Sequence, residues 1–206
     1  TTYNDEFVND SEFFNKICNY INFEIPKKLT EIKKIIEHDI LPINGKVIIW
    51  TIFIQNAKEL MNYLQRNNIN SKLLIGEIEQ SERENTIEKF NNPENKEFQV
   101  IIANPFSVAE SISLHKGCHN AIYLERDYNC SNFLQSKDRI HRVGLDKNQI
   151  TTYYYIISNH SIDEVIDDRL NVKIERMEKI INDDIPLFNR INDDDETDII
   201  KGLIEN

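Results

Sequence analysis

The fold is decided by the stretch Lys46–Leu64, which reads KVIIWTIFIQNAKELMNYL. Its first part, through Phe53, is dominated by apolar β-branched and aromatic side chains, which predicts a buried strand. The second part has the spacing of one helical face, carried by Ala57, Leu60, Met61 and Leu64. A buried strand followed directly by an amphipathic helix predicts an α/β unit.

Four further apolar runs of the same kind occur along the chain: Lys72–Ile75, Gln99–Ala103, Ala121–Leu124 and Thr151–Ile157. Segments with helical spacing separate them; Ile87 and Phe90, for example, lie between the second and third strands. Strands that alternate with helices predict a parallel sheet that is covered by helices on both faces.

One amphipathic helix is predicted before the first strand and another after the last strand. The first has an apolar stripe before Pro42 and the Asn44-Gly45 turn, made by Leu29, Ile32, Ile35, Ile36 and Ile40. The last runs from Ile162 to Ile181, with Ser161 as its N-cap and Glu164 at the capping-box position. We expect an extension over residues 1–26, an α/β lobe over 27–160, a long helix over 161–182 and an acidic tail with a short helix over 183–206.

Composition excludes several classes of protein. The chain has 206 residues and a net charge of −11, which rules out a globally basic nucleic-acid binder but leaves a local cationic groove open. Its longest apolar run, Val47–Ile54, is far shorter than the roughly 20 residues of a membrane helix. Three cysteines without a Cys-x-x-Cys pair favour reduced intracellular thiols. We therefore expect a cytoplasmic monomer without membrane contact, cut at Thr1 from a longer polypeptide.

The segment Gln135–Gly144, QSKDRIHRVG, is the most informative for function. Spacing predicts a helix on which Gln135, Asp138, Arg139 and Arg142 share one side and after which Gly144 ends the turn. Two guanidiniums one turn apart suit phosphate oxygens, because each is a planar fork of donors. The alternative is an exposed surface helix on which Asp138 pairs with Arg142.

The order of the neighbouring residues indicates a family. Glu125 and Tyr128-Asn129 precede this helix, and the whole stretch resembles motif VI of the Swi/Snf-type branch of the superfamily 2 helicases. That pattern runs Asp, then Trp-Asn, then Gln-x-x-x-Arg-x-x-Arg-x-Gly-Gln, with Leu145 here in place of the closing Gln. Lys46–Thr51 resembles motif IV, and Ser161–Glu164 resembles the element that opens a brace helix in that family. The resemblance covers residues 27–181 and implies a RecA-like lobe.

Motif V of this family is glycine-rich, whereas the corresponding segment here, Ser107–Leu114, reads SVAESISL. Ser111 and Ser113 stand where the family has its last Gly and its Asn. The resemblance implies that Asn104, Ser111 and the motif IV hydroxyl of Thr51 contact the nucleic-acid backbone, and that Ser113 contacts the nucleotide ribose. Ser107 has a second interpretation as the cap of a following helix.

The resemblance also implies a mechanism. Arg139 and Arg142 would reach the γ-phosphate of ATP, and Gln135 and Gly144 would lie at the nucleotide. The chain contains neither a G-x-x-x-x-G-K-[ST] phosphate loop nor an Asp-Glu-x-His box. It therefore looks like the second lobe alone, with ATP and Mg²⁺ held mainly by a first lobe of the same polypeptide and with double-stranded DNA as partner.

Other interpretations stay open. One is a non-catalytic nucleic-acid- or protein-binding module with a degenerate helicase fold, which the loss of the motif V glycines suggests. Another is a free-standing nucleotide-dependent transferase, against which the missing phosphate loop counts. His115, Cys118, His119 and Cys130 are zinc-binding residue types without paired spacing, so we expect no metal. Leu145 and the serine-rich motif V suggest a prokaryotic origin.

Overall fold

The computed structural model of the chain describes residues 24–108, 113–141 and 149–182. The predicted site residues Ser111, Arg142 and Gly144 lie outside these ranges, as do almost all of the N-terminal extension and the whole acidic tail. The boundaries at residues 26, 160 and 182 therefore stay predictions.

All five predicted strands form, and all are parallel. They are β1 (Val47–Trp50), β2 (Ser71–Leu74), β3 (Val100–Ala103), β4 (Asn120–Tyr123) and β5 (Thr152–Tyr155), in the spatial order β2-β3-β1-β4-β5. In the register, Val47 of β1 is paired with Val100 on one side and Asn120 on the other. The carboxyl ends of the strands consequently meet at one edge, which is where ligands bind in open α/β sheets.

Helices connect the strands as the alternation predicts. They are α1 (Lys27–Ile35), α2 (Ile54–Arg66), α3 (Gln80–Asn91), α4 (Pro105–Val108), α5 (Cys130–Asp138) and α6 (Ile162–Asn182). A wider turn, Ile36–Ile40, and a tighter one, Leu41–Ile43, extend α1 to Asn44, whose φ of 51° ends it. The predicted motif VI helix is shorter than expected: α5 ends at Asp138, so Arg139 lies in the closing turn and not within the helix.

Each face of the sheet has its own apolar core, because successive β1 side chains point to opposite faces. Val47 and Ile49 pack against α1 and α2, where the buried residues are Leu29, Ile32, Ile36, Ile40, Ala57, Leu60 and Leu64. Ile48 and Trp50 pack on the other side against Phe90, Phe133, Ile140 and Leu170. The prediction of helices on both faces is therefore confirmed.

The long helix α6 starts as predicted at an N-cap serine, with one difference. Ser161 Oγ accepts a hydrogen bond from the Asp163 N–H at 3.2 Å. The Glu164 carboxylate, however, accepts from the N–H of His160 at 3.1 Å and not from Ser161, so the reciprocal half of the capping box is shifted by one residue. His160 has a φ of 54°, and this left-handed turn directs its N–H toward α6.

Contacts along α6 join it to the rest of the lobe. Asp163 forms an ion pair of 2.6 Å with Lys28 of α1, and Asp167 pairs with Arg126 after β4. Lys173 donates a hydrogen bond of 3.1 Å to the Tyr128 carbonyl just before α5. These contacts tie the terminal helix to the segment that leads into the motif VI residues. Among the described residues, no helix combines the length and the apolar character that crossing a bilayer requires.

Lys46, directly before β1, is a buried cation with a structural task. Its Nζ donates hydrogen bonds of 2.7 Å to the carbonyls of Phe90 and Asn92, which lie at the end of α3. These carbonyls have no partner within the helix, as is general at helix ends. Burial lowers the pKa of Lys46 below its ordinary value.

We expect Lys46→Met to lower the free energy of unfolding by about 2 kcal/mol, because hydrogen bonds from a charged donor contribute about 1.5–3 kcal/mol each and part of that is recovered by hydration. The lowered pKa means that unfolding takes up a proton between the folded pKa and about 10.4, so Lys46 stabilises the fold more as pH rises through this window. The difference between the melting temperatures of the two proteins should therefore widen as the pH rises toward about 10.4. A gap that narrows with pH would contradict the assignment.

Candidate nucleotide and nucleic-acid site

The Glu125 carboxylate joins the carboxyl ends of β1 and β4. Its Oε2 accepts hydrogen bonds from the Thr51 hydroxyl at 2.6 Å and the Ile52 N–H at 3.2 Å. Its Oε1 accepts from Asn56 Nδ2 at 2.7 Å. Two donors from the loop after β1 and one from the first turn of α2 thus hold this one side chain. The sequence matched Glu125 to the acidic position of motif VI but gave it no role. Its place in that motif was the one sign in the sequence that the residue matters.

Thr51 and Asn104, two of the predicted nucleic-acid contacts, are both buried at the carboxyl edge of the sheet. Thr51 is fully buried and its hydroxyl is used by Glu125. Asn104 is also buried; its Nδ2 donates to the Ile52 carbonyl, and its Oδ1 accepts from the Phe106 N–H at 2.9 Å. Asn104 therefore links the loops after β3 and β1 and starts α4. The two side chains position the loops, and contact between either of them and a phosphate stays a prediction.

The charge of this edge is acidic. The described loops between β1–β4 and their following helices (51–53, 75–79, 104 and 124–129) contain the acids Glu77, Glu79, Glu125 and Asp127 and the single base Arg126. The Arg126 side chain is only 8% exposed, pairs with Asp167 and lies 4.5 Å from the centre of the Tyr155 ring. These loops do not form the cationic groove that the net charge left open. Two exposed aromatic rings, Phe53 and Phe106, lie at the same edge.

A second group of predicted residues comes together beside α5. The Leu114 N–H donates to the Arg139 carbonyl at 2.9 Å, and the Ser113 carbonyl accepts from Asn91 Nδ2 at 2.8 Å. Arg139 is half-buried, and Gln135, one turn earlier on α5, is exposed. The structure therefore brings Ser113 next to the end of the motif VI helix, although more than 20 residues separate them in the chain.

The start of α5 is built by local capping. The Asn129 side chain accepts a hydrogen bond of 3.2 Å from the Asn132 N–H and caps the helix. The Asp127 carboxylate in turn accepts from the Asn129 N–H at 3.1 Å, while burial raises the Asp127 pKa. The Asn of the family's Trp-Asn pair thus orients the helix that carries Gln135.

The zinc-type residues of the sequence do not assemble. Cys118 is buried, with its Sγ 3.2 Å from the Asn120 carbonyl, and burial raises its pKa to about 12. Cys130 contacts the Met177 sulfur at 3.4 Å. His115 instead lies 2.6 Å from the Ser113 hydroxyl, measured from Nδ1 to Oγ. Within the described ranges, no three His, Cys, Asp or Glu side chains gather at a common point.

The residues beside α5 fit a nucleotide by their chemistry. A guanidinium at Arg139 and an exposed amide at Gln135 offer donors to phosphate oxygens, and the hydroxyl of Ser113 can exchange hydrogen bonds with a sugar. The described residues provide no carboxylate cluster for Mg²⁺. This side of the lobe therefore has groups that can bind phosphate and ribose.

Comparisons with known proteins identify the family of this lobe. A family model described as "Helicase conserved C-terminal domain" matches residues 27–144. The lymphoid-specific helicase of Homo sapiens is 27% identical over 136 residues, which cover 66% of this chain and 16% of the relative. The TATA-binding protein-associated factor mot1 of Aspergillus fumigatus is 24% identical over 138 residues, covering 64% of this chain and 7% of the relative.

A solved structure is similar over much of the lobe. It is described as the C-terminal part of the Fun30 ATPase domain, with a TM-score of 0.63, 25% sequence identity and coverage of 78% of this chain and 54% of that one. The RecA-like fold is thereby confirmed. These relatives are human and fungal, so they lend no support to the predicted prokaryotic origin.

The chain spans only a small part, 16% or 7%, of the curated relatives described above. The family model, at residues 27–144, nevertheless matches the lobe whose segments resemble motifs IV, V and VI. It confirms the resemblance to the C-terminal lobe of the Swi/Snf-type superfamily 2 helicases, whose full-length enzymes use ATP and Mg²⁺. Since the family model matches more than half of the residues, the chain belongs to the helicase conserved C-terminal domain family.

Proposed function

We propose that this chain is the second motor lobe of an ATP-dependent DNA translocase or helicase, acting as a monomer in the cytoplasm together with a first lobe of the same polypeptide. The observation that carries the proposal is the 2.9 Å hydrogen bond from the Leu114 N–H to the Arg139 carbonyl. It joins the backbone next to Ser113 to the backbone of Arg139 at the end of α5, and this supports a shared site for the ribose and the phosphates of one nucleotide.

In this function the lobe contributes positive charge to the phosphates when the two lobes close. Arg139 and Arg142 present planar forks to the γ-phosphate and stabilise the charge that develops there. Gln135 orients the phosphates, and Gly144 allows the chain to approach them closely. Bound ATP, with Mg²⁺ held mainly by the first lobe, supplies the phosphoryl transfer that drives opening and closing.

The nucleic-acid side of the proposal concerns the carboxyl edge of the sheet. Thr51 and Asn104 would act there by fixing the loops after β1 and β3, and Ser111 would contact the DNA backbone. The hydrogen bonds of Thr51 to Glu125 and of Asn104 to Ile52 support this positioning role. Closure and opening of the lobes would then move these loops along double-stranded DNA.

A second candidate function is a non-catalytic binding module that has kept the helicase fold. The acidic edge favours it, because Glu79 and Asp127 repel DNA phosphates, while the guanidinium of Arg126 is neutralised by Asp167. Such a module would bind its partner without any dependence on ATP.

The two candidates differ in ATP turnover. We expect the 206-residue chain alone to hydrolyse no ATP, because its sequence contains no phosphate loop, and the intact polypeptide to show DNA-stimulated turnover. Steady-state phosphate release with and without duplex DNA measures the ATP turnover of the 206-residue chain and of the intact polypeptide. Turnover by the purified chain alone would contradict the assignment to a second lobe, and an intact polypeptide without DNA-stimulated turnover would favour the binding module.

A further inference from the structure

His115 makes a contact that the motif resemblance does not account for. Its Nδ1 lies 2.6 Å from Ser113 Oγ, within hydrogen-bonding distance for an imidazole and a hydroxyl. The ring is two residues further along the chain, at the start of the turn that leads into β4. Where Nδ1 is the acceptor, the histidine fixes the direction of the Ser113 hydroxyl hydrogen.

The backbone around this pair is held from several sides. Besides the bonds of Ser113 to Asn91 and of Leu114 to Arg139, the N–H groups of Gly117 and Cys118 donate to the Leu114 carbonyl at 3.1 and 2.9 Å. Gly117 packs so closely on α3 that an added Cβ would lie 2.6 Å from the Phe90 carbonyl oxygen. The peptide of Ser113 is therefore held in place, and His115 contacts its hydroxyl.

We propose that His115 is a positioning residue that selects ribonucleotides: its Nδ1 accepts the Ser113 O–H, so that Ser113 Oγ is presented as an acceptor to a ribose hydroxyl. The inference rests on the proposed nucleotide site. A serine oxygen has two acceptor lone pairs, so donation to His115 still leaves it able to accept.

The test compares ATP with 2′-deoxy-ATP and 3′-deoxy-ATP in the intact polypeptide. We expect the KM of one deoxy analogue to exceed that of ATP by about 3- to 10-fold, as the loss of one neutral hydrogen bond predicts. Ser113→Ala and His115→Leu should each remove this difference in KM. The double variant should then show no larger effect, because the two residues act as one unit.

His115→Asn provides the rescue, since its Oδ1 can take the place of Nδ1 as acceptor and should restore discrimination. The same exchange at exposed His160, whose φ of 54° suits Asn, is the control for the substitution itself. A long-range ¹H–¹⁵N NMR spectrum of the 206-residue chain should show His115 Nδ1 without a proton in the absence of nucleotide.

The outcomes separate this inference from the proposed function. Unchanged discrimination in His115→Leu, or a proton on Nδ1 in the spectrum, overturns the role of His115 even if the intact polypeptide hydrolyses ATP. An intact polypeptide that hydrolyses no ATP overturns the proposed function, and the ribose selection falls with it.

Discussion

Arg142→Ala is expected to lower the ATP turnover of the intact polypeptide by about 10³- to 10⁵-fold, which corresponds to roughly 4 to 7 kcal/mol of transition-state stabilisation. The reason is that a guanidinium at the γ-phosphate neutralises charge that develops only during phosphoryl transfer. ATP binding should change little, because the first lobe holds most of the nucleotide. Steady-state phosphate release checks the loss of turnover, and equilibrium ATP binding on the same preparation checks that affinity is retained.

Two control variants make this result interpretable. Arg142→Lys should rescue little turnover, since a point charge does not reproduce the planar fork. Asp138→Ala removes the exposed carboxylate at the end of α5 and tests the alternative of an Asp138–Arg142 surface pair. That alternative predicts a stability loss below about 1 kcal/mol and near-normal turnover in Arg142→Ala. Near-normal turnover would remove Arg142 from the mechanism.

Glu125→Ala should lower the free energy of unfolding by about 3 to 5 kcal/mol. The carboxylate accepts hydrogen bonds from Thr51, Ile52 and Asn56, and bonds to a charged group contribute about 1.5–3 kcal/mol each without adding fully. For a chain of this size the midpoint of thermal unfolding should fall by roughly 10 °C. Differential scanning calorimetry of the 206-residue chain measures it.

Glu125→Gln separates the contribution of the carboxylate charge to stability from that of the hydrogen-bond geometry. Its amide oxygen can keep the donors Thr51 and Ile52, and the Asn56 amide can turn its oxygen toward the new NH₂, so we expect a loss of only about 1 to 2 kcal/mol. The matched control is Glu77→Gln, because Glu77 forms an exposed ion pair of 2.7 Å with Lys58 and should lose below about 1 kcal/mol. Equal losses at Glu125 and Glu77 would show that the Glu125 contacts contribute nothing special to stability.

Much of the fold follows from the residue pattern because burial is periodic. The alternation of short apolar runs with helical stripes predicted five strands and their helices, and the structure confirms them. Helix ends were less predictable. The motif VI spacing suggested a helix through Arg142, but α5 ends at Asp138, since helix length depends on what packs around its last turn.

The candidate site was likewise predictable only in part from the sequence. Residue spacing singled out Gln135, Ser113 and Arg139 separately, but it could not show that Ser113 and Arg139 meet through Leu114, because that contact joins two separate segments of the chain. Nor could it show that Glu125 would accept from Thr51, or that His115 would face Ser113 rather than a metal. Such pairings depend on the order of strands in the sheet.

The amino-acid sequence by itself determined the α/β class, the positions of the strands and the family, because side-chain periodicity and motif spacing are local properties. The tertiary structure alone decided that Thr51 and Asn104 are buried and that the carboxyl edge is acidic. The physical reason is that β1 lies between β3 and β4, so the loops after these strands converge. Burial, hydrogen-bond partners and local charge at that edge are then set by residues far apart in the chain.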